Sequence, residues 1–100
     1  MKFLAIAQHT PAMCPGSNPD VLAIVGESMP KIPEIEKKHG ATNEGIHVTL
    51  GAHVMVIIMD APSFQAAEHV LLEARLFEWN TVNISQSYTP EEAMALTQQQ

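Results

Sequence analysis

Apolar residues fall into short periodic runs separated by clusters of proline, glycine and polar residues. Lys2 to Gln8 or His9 is short, apolar and bounded by Thr10-Pro11, which predicts a strand. A loop from Thr10 to Pro19 follows, carrying three prolines and Gly16. Beyond it, Val21, Leu22, Ile24, Val25 and Met29 have helical spacing, with Asp20 placed to cap the first turn. Pro30 and Pro33 each remove a backbone donor and break or kink this helix. A second helical piece runs to His39 and stops at Gly40, a residue suited to a left-handed cap. Two strands, 45–50 and 53–59, flank Gly51-Ala52, which fits a two-residue type II′ hairpin turn. Ser63 then caps a helix to about Leu76, with Phe64, Ala67, Val70, Leu71 and Ala74 on one face. A last strand spans about 82–88. Thr89-Pro90-Glu91-Glu92 is a capping box with proline at the first helical position, so a short tail helix is predicted over about 89–98.

The order β-α-β-β-α-β plus a tail helix predicts one α+β domain over residues 1–100. Its expected form is ferredoxin-like, with a four-stranded antiparallel sheet in the order 4-1-3-2. Two helices cover only one face of such a sheet. The third strand is nevertheless apolar on both sides, through Val54, Val56 and Ile58 on one and Met55, Ile57 and Met59 on the other. Burial on both faces accounts for that pattern. A homodimer packed sheet against sheet, or a higher homo-oligomer, would supply the second cover.

The stretch Val48-Thr49-Leu50-Gly51, then Val54 to Asp60-Ala61-Pro62, then Tyr88-Thr89-Pro90-Glu91-Glu92 resembles the GYD domain family. That family lies within the dimeric α/β-barrel superfamily. The likeness covers about half the chain, from Gly45 to Glu92. It implies a ferredoxin-like dimer with a pocket between sheet and helices. It implies no single activity, because superfamily members include monooxygenases, isomerases, cyclases and haem-binding proteins. Where the family reads Gly-x-Tyr-Asp, this chain reads Gly51-Ala52-His53-Val54, so a histidine replaces the tyrosine and the aspartate is gone.

Composition narrows the classes. Hydrophobic residues are 46% of the chain and charged residues 16%, against about 25% charged in ordinary domains. That excludes a disordered tail. Five Lys+Arg against eleven Asp+Glu, net −6, exclude the positive footprint of a nucleic-acid binder. One cysteine, Cys14, permits no internal disulfide. No apolar run reaches the roughly 18 residues of a membrane span. The apolar stretch at the N-terminus is shorter than a signal-peptide core of about 7–15 residues. A cytoplasmic protein without a membrane or nucleic-acid partner is expected.

Chemistry concentrates at one rim. In the predicted topology the end of the first strand lies beside the start of the third, which brings His9 and His53 together. The loop with Met13 and Cys14 hangs over the same rim, and Trp79 and Asn80 enter the last strand there. Imidazole and thiolate are ligands for Zn, Cu or Fe, and thioether suits Cu(I). His9, Cys14 and His53 are therefore the candidate metal ligands, for a transition ion or a haem. Trp79 and His47 are candidate cofactor contacts. Cys14, a few residues before a helix, is also a candidate nucleophile with His9 or His53 as its base. Asn83, Ser85 and Ser87 share a strand face that could line a pocket with His47 and Thr49.

Two other readings stand beside the metal site. One is a metal-independent enzyme or small-molecule binder with His47 or His53 as acid/base. The other is a structural or interaction module whose tail helix completes an oligomer. Of the remaining polar groups, His39 reads as a helix-end residue, His69 as a solvated partner of Glu68 or Glu73, and Glu34 and Glu36 as a solvated helix end. Whether the protein is an enzyme is left open by the sequence.

Overall fold

A computed structural model describes residues 1–98; Gln99 and Gln100 lie outside the described residues. The strands are β1 (Lys2–Gln8), β2 (Thr42–Thr49), β3 (Val54–Asp60) and β4 (Thr81–Gln86). They form one sheet in the order β2-β3-β1-β4, with every neighbouring pair antiparallel. This is the expected ferredoxin-like order read from the other edge. Helices α1 (Pro19–Ser28), α2 (Ile32–Lys38) and α3 (Phe64–Glu73) supply the cover for one face. A fourth helix, α4 (Pro90–Gln98), buries no residue.

Strand alternation sorts side chains onto the two faces. Phe3, Ala5 and Ala7 of β1 and Met55, Ile57 and Met59 of β3 are buried with Val21, Ile32, Val70 and Leu71 from the helices. The small residues at 5 and 7 leave space for the larger side chains of the helices. Leu4, Ile6, Val54, Val56 and Ile58 stand on the opposite, open face, intermediate or exposed. The chain by itself therefore leaves the apolar second face of β3 partly uncovered.

Local chemistry departs from the sequence pattern at several points. Asn18, rather than Asp20, caps α1: its Oδ1 accepts from the N–H of Asp20 (3.0 Å) and Val21 (3.2 Å), with Pro19 opening the helix. The proline break gives a 3₁₀ turn at Met29–Lys31 before α2, which ends at Gly40 with φ +70°. β2 starts at Thr42 because a bulge between Asn43 and Gly45 extends the pairing, held by Asn43 Oδ1 accepting from Gly45 N–H at 2.9 Å. The hairpin is not a two-residue turn. Thr49 pairs with Val54, leaving a four-residue loop over 50–53, and His53, not Gly51, is left-handed (φ +53°). Thr49 clamps the loop, its Oγ1 donating to Val54 O at 2.9 Å and accepting from Val54 N–H at 3.3 Å. α3 stops short of Leu76 because Arg75 turns left-handed (φ +64°) ahead of a 3₁₀ turn at Leu76–Glu78. β4 ends at Gln86, and the Thr89–Glu92 capping box forms reciprocally at 2.8 and 3.1 Å.

Glu36 is a second departure: it is 5% exposed, not solvated. Its Oε2 has no hydrogen-bond partner. Burial pushes its carboxyl above the ordinary range. The neighbouring Asn43 amide pulls the other way, but the Asn43 Nδ2 has no partner at hydrogen-bond distance, so burial wins. A carboxyl raised in the folded state binds more protons folded than unfolded. Its contribution is therefore fully present below the unfolded value and is lost as pH rises through the raised folded value. Glu36→Gln is expected to be more stable than the parent at pH 7, with the difference shrinking at pH 4. Urea unfolding midpoints of both proteins at the two pH values check this, and a gap independent of pH would contradict it.

His39 and His69 lie apart from the rim. His39 Nε2 is 2.7 Å from Glu73 Oε1, and Lys38 Nζ is 3.1 Å from the same oxygen, tying α2 to α3. These contacts hold the Glu73 carboxyl below the ordinary range, His39 first and Lys38 second. His69 stands edge-on to His39 with ring centroids 5.7 Å apart, rather than pairing with Glu73.

Candidate metal centre

Strand pairing builds the site. Gln8 faces Val54 in the β1–β3 ladder, and the ladder runs one step further through His9 N–H donating to His53 O at 3.2 Å. His9 continues the alternation of Ala5 and Ala7, so its ring lies on the helix-covered side. His53 reaches it from the left-handed position that ends the hairpin loop. A non-glycine residue there costs on the order of 1–2 kcal/mol, although histidine tolerates the region better than most. A glycine would relieve that strain and would also remove the imidazole.

The rings meet edge to face, centroids 5.0 Å apart, with His53 Nδ1 3.2 Å from His9 Nε2. Without an ion, one imidazole donates to the other. The same separation suits ligation, because metal–nitrogen bonds of about 2.0 Å place two ligating nitrogens about 3.3 Å apart at a tetrahedral angle. Trp79, 7% exposed, lies against His9 with centroids 5.2 Å apart and fixes one side of its ring. The 3₁₀ turn places Trp79, and Asn80 Nδ2 donating to Leu76 O at 3.0 Å holds the exit from that turn.

Cys14 comes from a pinned loop. Its carbonyl accepts from the N–H groups of Ser17 (3.0 Å) and Asn18 (2.8 Å), and its own N–H donates to Pro11 O at 3.3 Å. Ser17 Oγ donates to Pro11 O at 2.9 Å, and Asn18 Nδ2 donates to Ala12 O at 3.1 Å. Asn18 therefore holds the loop with one end of its amide and caps α1 with the other. One donor atom each from His9, Cys14 and His53 lies within 4.8 Å of the others, and all three residues are partly buried. Thiolate with two imidazoles suits Zn, Cu and other borderline or soft ions. Three protein donors leave a coordination position open, as in catalytic rather than structural zinc sites.

All three donors line a pocket of about 230 Å³, with Val25, Val48, Leu50, Val54, Met55 and Trp79 among its walls. The space is smaller than the roughly 300–1,000 Å³ of drug-sized sites. His47 is not in this pocket. It pairs with Val56, which puts its side chain on the open face, exposed. Asn83 and Ser85 share that face but belong to β4 at the far edge, with β3 and β1 between them and β2. Two strands therefore separate them from His47. Met13 packs against the core and its sulfur lies 3.9 Å from Asn18 Nδ2; the methionine that lines the pocket is Met55. The apolar walls had no signal in the sequence beyond that of core and hairpin residues.

No known family model matches the chain, and no curated protein matches it. Solved structures do. SCO4226 from Streptomyces coelicolor A3(2) superposes with a TM-score of 0.57 over 89% of this chain and 98% of its own, at 13% identity. The de novo designed protein Ferredog-Diesel superposes with a TM-score of 0.58 over 86% of this chain and 85% of its own, at 10% identity. The chain thus has a ferredoxin-like α+β fold. Likeness at this identity concerns architecture and carries no activity. Among the described residues, no helix is long and apolar enough to cross a membrane.

Proposed function

We propose that this protein is a homo-oligomer that binds one transition-metal ion per protomer through His9, Cys14 and His53. The observation that carries this reading is the convergence of the three donors within 4.8 Å, with two imidazole nitrogens already at a ligating separation. Zn, Cu and Fe all suit the donor set, and the open position permits Lewis-acid or redox chemistry. The uncovered face of Leu4, Ile6, Val56 and Ile58 supports the sheet-to-sheet dimer that the GYD resemblance implies. The exposed Met94 and Leu96 of α4 offer a further contact within such an assembly. A metal-independent reaction with His53 as acid/base would use the same pocket; His47, on the other face, lacks that access.

Protein purified without chelators and titrated with Zn(II) or Co(II) is expected to take up one equivalent per protomer. Cobalt should develop a thiolate-to-metal charge-transfer band. Sedimentation of the same sample should give a multiple of 10.9 kDa. Failure to retain stoichiometric Zn, Co, Cu or Fe would overturn the metal assignment, leaving the metal-independent pocket as the reading to test.

A further inference from the structure

The pocket is larger than the donors need, and its chemistry differs from theirs. Apart from His9, Cys14, His53, Thr49 and the Pro15-Gly16 backbone turn, its walls present Val25, Val48, Leu50, Val54, Met55 and Trp79. So apolar a surround favours apolar atoms over polar ones in the space beside the donors. Its volume of about 230 Å³ exceeds the ~150 Å³ of an engineered apolar cavity that admits benzene. Two of the lining residues, Val48 and Leu50, are 60% and 84% exposed. Large apolar side chains are thus held in solvent around a pocket that has ligating atoms in its wall.

We propose that this pocket takes a small apolar molecule whose single donor atom fills the coordination position that the protein leaves free on the metal. The inference rests on the metal reading above and goes beyond it by naming the class of ligand: a short aliphatic or monocyclic compound with one metal-seeking head, such as a thiol. The head binds by ligand exchange. A thiol releases its proton to solvent, and its sulfur replaces a solvent ligand on the ion, with no change in oxidation state. The tail is selected by the walls, because each buried methylene strengthens binding about fourfold, whereas a hydroxyl in the same place loses its water without a partner.

The protein loaded with Co(II) under anaerobic conditions provides the test. The probes are 2-mercaptoethanol, 1-propanethiol and 1-pentanethiol, which offer the same head with different tails. Binding is read from the additional thiolate-to-cobalt band. Pentanethiol is expected to bind about 15-fold more tightly than propanethiol, and 2-mercaptoethanol the most weakly. Val25→Phe, which consumes pocket volume without altering a donor, should abolish the gain with tail length. Leu50→Ser, in the exposed hairpin loop where folding is insensitive, should reduce it. Equal affinities for the three thiols on protein that shows the cobalt spectrum would overturn the pocket inference and leave the metal reading standing. Absence of the cobalt spectrum before any thiol is added would instead remove the metal reading, and this inference with it.

Discussion

His53→Ala is expected to lower affinity for Zn(II) or Co(II) by roughly 100-fold or more, since loss of even a residue that orients a ligand costs 10–100-fold. Cys14→Ser should weaken binding comparably and also abolish the cobalt charge-transfer band, which requires a thiolate. Affinity of the parent should fall as pH falls, because protons compete with the metal for imidazole and thiolate. His47→Ala serves as the control, for its side chain stands on the other face of the sheet. His53→Gly separates site from scaffold. It removes the same imidazole but places glycine at the left-handed position, where φ is +53°. The metal-free His53→Gly protein should be more stable than the metal-free His53→Ala protein by about 1 kcal/mol, since both lack the imidazole and only glycine is at ease there, and it should bind metal as poorly. Competition titration against a chromophoric chelator gives the affinities, and urea unfolding of the apo-proteins gives the stabilities. Parent-like affinity in either His53 variant would remove that residue from the centre.

That trade-off shows what the sequence carried and what it withheld. Topology was legible because strand and helix periods differ sharply and because Pro11, Pro30, Pro33 and Gly40 punctuate them. Once the strand order was known, antiparallel pairing alone brought position 9 beside position 53. The hairpin's even loop length preserves the register although the loop has four residues rather than two, so His47 falls on the face opposite His53. What stayed hidden was conformational. Nothing in Leu50-Gly51-Ala52-His53 announces that the histidine rather than the glycine takes the left-handed position. The competing bonds of Thr49 to Val54, at 2.9 and 3.3 Å, settle the loop length.

The displaced ends of α1 and β2 share a cause, which is side-chain bonding over short range overriding composition. Asn18 outcompetes Asp20 as the cap of α1 because its amide donates into the preceding loop while its oxygen accepts from the helix. A carboxylate offers no such donor. The same substitution of local bonding for pattern starts β2 at Thr42, through the Asn43 bulge. The burial of Glu36 is hidden for a different reason. Its neighbours Glu34, Lys37 and Lys38 are exposed, and only helix phase distinguishes it from them. The pocket's apolar walls are hidden for a third reason: they are hydrophobic residues drawn from α1, the hairpin and the turn before β4, and no spacing along the chain connects them.

Trp79 joins that pocket to the core, and Trp79→Ala is expected to destabilise the protein by about 3–5 kcal/mol. The ring is 7% exposed, packs within the same cluster as Ala7 and Leu76, and braces His9 at a centroid distance of 5.2 Å. Deleting it leaves a cavity beside an imidazole that must keep its orientation to ligate. Its indole N–H, however, is buried without a partner, and such an orphan already costs about 1–3 kcal/mol. Trp79→Phe discards the orphan, keeps an aromatic ring in place, and should stay within about 1.5 kcal/mol of the parent. Both variants retain every metal donor, so a change in metal affinity reports positioning of His9. The alanine variant should lose 10–100-fold in affinity, and the phenylalanine variant should recover most of it. Urea unfolding and metal titration on the pair provide the two readouts. An alanine variant as stable as the parent would show that the indole is not part of the core; one that is unstable yet binds metal normally would show that His9 is held without it.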